Sequence, residues 1–130
     1  MAEVELKNLS KSFGDQAAVI DMNMTIDNGS FVVLLGPTGA GKTTTLRLIS
    51  GLEKADAGNV LIDGRNVDIE TPAQRDVAMV FQQYSLYPHL SVKDNLAFPL
   101  RSPILKTSKS EIERKAVSYT HLTLPTNREV

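Results

Sequence analysis

The chain contains no cysteine. That excludes disulfide scaffolds and thiolate metal sites, and it suits a reducing compartment. An excess of charge of either sign is missing too. Lys and Arg number 14 and Asp and Glu 15, a formal net charge of −1. Nothing in that balance draws the chain to nucleic acid or anionic lipid, so no nucleic-acid partner is expected. Long hydrophobic runs are absent: the strongest, Phe31-Val-Val-Leu-Leu35, is far too short to span a bilayer. The opening Met1-Ala-Glu-Val-Glu-Leu6 has neither the basic start nor the apolar stretch of a signal peptide. No internal repeat or low-complexity linker occurs, and neither His89 nor His121 has a companion at ligand spacing. The expectation is a soluble, intracellular chain. Its 130 residues fit one domain at most, and 42% hydrophobic content is enough for a core.

What is present is centred on Gly36-Pro-Thr-Gly-Ala-Gly-Lys-Thr43, which reads G-x-x-x-x-G-K-T. Gly36 starts a turn, and Gly39 and Gly41 permit backbone angles that a Cβ disfavours. Successive N–H groups then point inward and cradle α- and β-phosphates. Lys42 reaches β- and γ-phosphates as a mobile charge, and the Thr43 hydroxyl suits Mg2+. The following helix adds its positive N-terminal end to the same anion site. Context agrees. Ser30-Phe-Val-Val-Leu-Leu35 reads as a buried parallel strand before the loop. Lys42-Thr-Thr-Thr-Leu-Arg-Leu-Ile-Ser50 reads as the helix after it, with Gly51 as its stop.

Elsewhere, Val4-Glu-Leu-Lys-Asn-Leu9 alternates as a half-buried strand, and Gly14-Asp15 is a turn. Ala18, Ile20, Met22, Met24 and Ile26 form the apolar face of a second strand. Asn28-Gly29 predicts a hairpin into the strand before the loop. Phe13, beside the first turn, either stacks on a purine or tucks into the core. Ala57-Gly58 is read as a turn, and Asp63-Gly64 as a hairpin. Pro72 opens a short helical turn through Arg75. Asp76-Val-Ala-Met-Val-Phe81 reads as a buried strand. Gln82 and Gln83 stand at its C-terminal end, where a Gln either reaches a metal or water near the phosphates or only bonds backbone. Tyr84-Ser-Leu-Tyr-Pro-His-Leu90 is apolar and aromatic for a loop, as partner surfaces often are. Ser91-Val-Lys-Asp94 caps a short helix through Phe98, ended by Pro99. Ser108-Lys-Ser-Glu111 caps another through Val117, and Ser118 onward breaks the helical period.

With the loop, Phe13 and Gln82 in hand, the chain closely resembles the nucleotide-binding subunits of ABC transporters from about Val4 to Ala116. The resemblance implies an α/β fold: a P-loop NTPase with a RecA-like core and an antiparallel β-subdomain, here incomplete. It implies ATP and Mg2+ as cofactors. The nucleotide set is then Phe13, Gly36, Pro37, Thr38, Gly39, Ala40, Gly41, Lys42, Thr43 and Thr44, with Phe13 on adenine. Thr43 and Gln82 lie on the metal side. Leu86-Tyr-Pro-His-Leu-Ser-Val-Lys-Asp-Asn-Leu-Ala-Phe-Pro-Leu100 looks most like sugar importers. In that family the 84–90 region faces the membrane permease subunits. A homodimer, a cytoplasmic location on the inner face of the membrane and energised solute import are implied as well.

The departures are equally specific. The family's Leu-Ser-Gly-Gly-Gln signature, second magnesium carboxylate, catalytic Glu and switch His have no match in these 130 residues. The expectation is therefore ATP binding with little or no hydrolysis by this chain alone, and no catalytic residue is assigned. Residues 1–117 read as the N-terminal part of an ABC ATP-binding domain, and residues 118–130 as a non-matching tail. A truncated or chimeric reading frame is expected, against a genuine short protein; sequencing genomic DNA across the Ala116 codon separates them. Two other functions stay open: another phosphate-loop enzyme, such as a small-molecule kinase, and a non-transport ABC protein.

Overall fold

The computed structural model describes residues 1–83, 85–103 and 105–123. The chain divides into two compact units, Met1–Met79 and Val80–Val130. In the first, β1 (Val4–Phe13), β2 (Gln16–Ile26), β3 (Ala57–Ile62) and β4 (Arg65–Asn66) form one antiparallel sheet in the order β2-β1-β3-β4. Helix α1 (Lys42–Ser50) lays Leu48 on that sheet, in a core with Leu6, Leu9, Val19, Val60, Ile62 and Val67. The Asp63-Gly64 hairpin forms, with both residues at positive φ, 49° and 73°, as a two-residue type I′ turn requires. Asp63 also accepts from the Glu3 N–H at 2.8 Å, which ties the hairpin to the start of β1. Pro72 opens α2 (Pro72–Arg75), and Gln74 accepts from the Thr71 N–H at 2.9 Å.

Three sequence expectations fail in this unit. The apolar face of β2 does not run unbroken. Met22, Met24 and Ile26 face inward, but Ile20 is exposed and Val19 is buried instead. The register jumps from Leu9↔Met22 to Lys11↔Val19, so β2 carries an extra residue there. Asp21 turns to φ 42°, and one added residue moves every later side chain to the other face. Ala57-Gly58 is the start of β3 rather than a turn. Gly58, at φ 84°, lies against a bulge in β1 centred on Asn8, where its missing Cβ would sit 2.3 Å from the Asn8 carbonyl oxygen.

The third concerns residues 30–35, expected as a buried strand. They pair with no strand among the described residues, and Phe31 and Leu35 are 93% and 89% exposed. The Asn28-Gly29 turn does form, closed by Ser30 N–H to Asp27 O at 3.0 Å, but no hairpin strand follows it. A parallel strand owes its burial to neighbours on both edges and helices on both faces. None of the four strands in this sheet offers that setting.

In the second unit, the strand expected at residues 76–81 is likewise absent at its end: Val80 is 95% exposed and Phe81 is exposed too. Helix α3 (Val92–Ala97) starts as expected. Ser91 accepts from the Asp94 N–H at 3.1 Å, and Pro99 opens a 3-10 turn, Pro99–Arg101. Helix α4 (Lys109–Thr123) starts after Ser108 but continues past Val117, against the expected break at Ser118. Residues 124–130 lie outside the described residues. Helices α3 and α4 pack through Ala97 and Ala116, and Lys93 pairs with Glu113 at 2.7 Å.

Two outcomes test this packing. Gly58→Ala combines positive-φ strain with a backbone clash, so it should cost about 2 kcal/mol or more in a urea titration. An unchanged midpoint would contradict the Asn8–Gly58 contact. The second concerns Asp68. Burial pushes its carboxyl up, but the Asn59 amide at 2.6 Å, the Val60 N–H at 2.8 Å, Asn66 and the Arg75 charge hold it below the usual range. A depressed folded value contributes stability that is fully present above the unfolded value of about 3.9 and is lost as pH falls through the folded one. Between about pH 6 and about pH 3 the wild-type chain should therefore lose more stability than Asp68→Asn. Equal losses would contradict it.

Candidate functional site

The loop before α1 is built as its glycines suggest. Gly39 and Gly41 adopt φ 83° and 84°. The Ala40 N–H donates to Pro37 O at 3.2 Å, closing the turn at residues 38–39. Gly41 is also the N-cap of α1, and a Cβ there would lie 2.3 Å from the Ala18 carbonyl oxygen. Glycine at 41 thus serves two ends: it bends the loop, and it lets the helix start touch β2.

No side chain caps α1, and no acidic residue lies in its first turn. The first-turn N–H groups are therefore left for an external acceptor. Lys42 folds back, its Nζ donating to Gly36 O at 2.7 Å and Pro37 O at 2.6 Å. A cation is thus held beside the uncapped first turn of α1, a setting that fits a polyphosphate. Thr43 is exposed on the first turn and Thr44 half-buried. Thr45 is buried, and its hydroxyl donates to Gly41 O at 2.8 Å within the helix. Pro37, Thr38 and Ala40 are exposed along the loop.

Phe13 ends β1 and pairs with Gln16, two residues before the Ala18 that Gly41 touches. At a strand rise of about 3.3 Å per residue, the ring's strand position is about 7 Å along β2 from that contact. The ring is 51% exposed, so it is not tucked into the core. The Lys11 ammonium stands 5.2 Å from its centroid. Glu53 at 3.2 Å and Asp56 at 3.5 Å fix that ammonium. The Glu53 hydrogen bond foremost, opposed by burial and aided by Asp56, raises Lys11 above the ordinary lysine range. Asp56 in turn accepts from the Ser12 N–H at 2.7 Å, which with Lys11 holds its carboxyl low against burial.

Gln82 and Gln83 are exposed residues of the second unit. The loop, Lys42, Thr43 and Phe13 all belong to the first. Within the second unit, Leu86, Tyr87, Pro88, Leu90, Val92 and Leu96 line an apolar groove. Tyr87 packs on Phe98 with ring centroids 4.7 Å apart. Tyr84 lies outside the described residues. Sequence reading passed over Asn95, whose side chain accepts from Tyr87 N at 2.9 Å and donates to Leu90 O and Ser91 O. Among the described residues, no cluster of His, Cys, Asp and Glu could hold a metal by itself, and no helix is long and apolar enough to cross a membrane.

Sequence reading also passed over Arg75, seen only as the end of a helical turn. It is 6% exposed and bonds the carbonyls at the far end of α1. Its partners lie 26 and 27 residues away, beyond any local pattern.

Comparison with known proteins follows the same lines. The family described as ABC transporter matches residues 19–129. The trehalose import ATP-binding protein SugC of Mycobacterium tuberculosis is 48% identical over 116 residues, covering 88% of this chain and 29% of that protein. The sn-glycerol-3-phosphate import ATP-binding protein UgpC of Cereibacter sphaeroides is 47% identical over 125 residues, covering 95% and 35%. The chain thus spans about a third of the length of these relatives. Among solved structures, the dimeric bacterial ABC transporter cassette MJ0796 superposes with a TM-score of 0.75 at 33% identity, covering 88% of this chain and 54% of the cassette. A glycine-bent loop, an uncapped helix with its lysine, and an antiparallel sheet beneath them, matched along most of their length, mean that this chain belongs to the ABC transporter family, with the P-loop NTPase fold of its ATP-binding cassettes.

Proposed function

We propose that this chain forms the nucleotide-holding part of an ATP-binding subunit that energises solute import, carbohydrate being the favoured class. One observation carries the reading: Lys42 Nζ is held at the carbonyls of Gly36 and Pro37, beside the uncapped start of α1. The backbone N–H groups of Gly39, Gly41, Lys42, Thr43 and Thr44 then receive the α- and β-phosphates, with Pro37, Thr38 and Ala40 shaping the turn. Lys42 exchanges its two carbonyl contacts for β- and γ-phosphate oxygens. Phe13 offers one exposed ring face to the adenine, with Lys11 on the ring. Thr43 serves the magnesium that accompanies the triphosphate.

The sugar-importer reading rests on relatives whose names specify trehalose and glycerol 3-phosphate import. Those two solutes differ, so the solute is chosen outside the segment these proteins share. The apolar groove along residues 86–96 suits a permease subunit, with Asn95 holding its shape. Work at the inner face of a membrane, and pairing of two such subunits about their nucleotides, complete the reading. Phosphoryl transfer depends on positioning and charge stabilisation. The chain by itself supplies the cradle, and no residue in it is assigned as the base.

Titrating the 130-residue chain with MgATP tests this directly. A charge-assisted hydrogen bond contributes about 1.5–3 kcal/mol, so Lys42→Ala should weaken binding about 10- to 150-fold. Unchanged affinity would mean that the loop does not hold phosphate.

A further inference from the structure

We propose that Arg75 is a positioning residue for the phosphate-binding loop, acting through α1 from the end opposite the nucleotide. The proposal rests on the nucleotide-binding reading above and adds to it a residue that touches no part of the nucleotide.

Helix α1 has nine residues, three of them consecutive threonines, and helices this short are marginal without tertiary support. Its last carbonyls lack i+4 partners within the helix. The Ser50 hydroxyl reaches Arg47 O at 3.0 Å and the Gly51 N–H reaches Leu48 O at 3.3 Å, which leaves room for a further donor. Arg75 supplies one: Nη1 donates to Leu48 O at 2.9 Å and to Ile49 O at 3.2 Å. Its Nε donates to Glu70 O at 3.1 Å. One guanidinium thus bolts the C-terminal end of α1 to the segment before α2, and it places a cation at the negative end of the helix.

The surroundings are shaped for this side chain. Gly51 ends α1 at φ 82°, and a Cβ there would fall 2.8 Å from Arg75 Nε and 3.0 Å from Cζ. Glycine leaves the guanidinium its place. Asp68 and Glu70 face Arg75 with negative charge, and each is held by another group. Asn59 and the Val60 N–H hold Asp68; Arg65 pairs with Glu70.

The other end of α1 rests on β2 through the close approach of Gly41 to Ala18 and through Thr45, whose Oγ1 lies 3.8 Å from Met22 Sδ. Leu48, whose carbonyl Arg75 holds, anchors the same end of the helix in the core. At about 1.5 Å per residue α1 spans about 13 Å, so a tilt of about 5° moves its start by about 1 Å. Displacements of that size matter to a site that works by positioning.

The test uses the full chain. Amide resonances of Gly39, Gly41, Lys42 and Thr43 are followed by NMR in the nucleotide-free protein, and MgATP affinity is measured below the unfolding temperature of every variant. Arg75→Met should move those resonances and weaken MgATP binding about tenfold. Arg75→Lys keeps the charge but loses the fork, and should move them in the same direction by less. Gly58→Ala, which strains the β1–β3 contact at Asn8, is the control for lost stability alone and should leave them in place. Loop resonances that stay fixed in Arg75→Met overturn the proposal, as do equal shifts in Gly58→Ala. Where Arg75→Met does not fold, unmoved resonances in Arg75→Lys overturn it. A wild-type chain that fails to bind MgATP removes the nucleotide reading, while the loop shifts still decide the role of Arg75.

Discussion

A nine-residue helix with three threonines in its first turn does not hold itself, and the geometry of the first unit depends on how that helix is held. Its start rests on β2 where Gly41 has no side chain to keep it from Ala18. Its last turn buries Leu48 among Leu6, Leu9, Val60 and Val67. Its end is bonded by Arg75. With those supports in place, the first-turn N–H groups and the Lys42 ammonium are presented together. The antiparallel sheet is therefore the bench on which the loop is clamped. Its bulges serve the same purpose, since the shift around Ile20 and Asp21 turns Val19 inward beneath the start of the helix.

Local chemistry made much of this visible in the sequence. Gly36 to Thr43 imposed its own turn, because left-handed backbone at Gly39 and Gly41 needs no neighbour to specify it. Pro72 after Thr71, Ser91 before Asp94 and Asp63 before Gly64 are likewise short-range signals, and each led to the element it announced. What stayed hidden depends on distant partners. Ile20 reads as apolar face until β1 pairs out of step with β2. Gly58 reads as a turn until Asn8 swings across it. Arg75 reads as surface until α1 arrives from more than 25 residues away.

The two apolar segments expected as buried strands teach a different lesson. Phe31, Leu35 and Val80 carry the composition of parallel strands, yet they stand exposed and unpaired among the described residues. Composition records the setting a segment is suited to, whereas burial needs the neighbours themselves. The cassette on which this chain superposes is about 1.6 times its length, and the curated relatives are about three times as long. Surfaces so apolar invite strand pairing, and they are the natural place for further chain to join.

The candidate site is thus a cradle whose parts are local and whose orientation is not. Loop, lysine and Phe13 belong to one unit, Phe13 as part of its sheet, while Gln82 belongs to the other unit. The central claim is that the loop grips phosphates rather than the nucleoside. Calorimetric titration of the 130-residue chain with ATP, ADP and AMP, each with magnesium, tests it most directly. Affinity should fall in that order, with AMP more than about 100-fold weaker than ATP, because two phosphates' worth of charge-assisted bonds are missing. Equal affinity for ATP and AMP would contradict it.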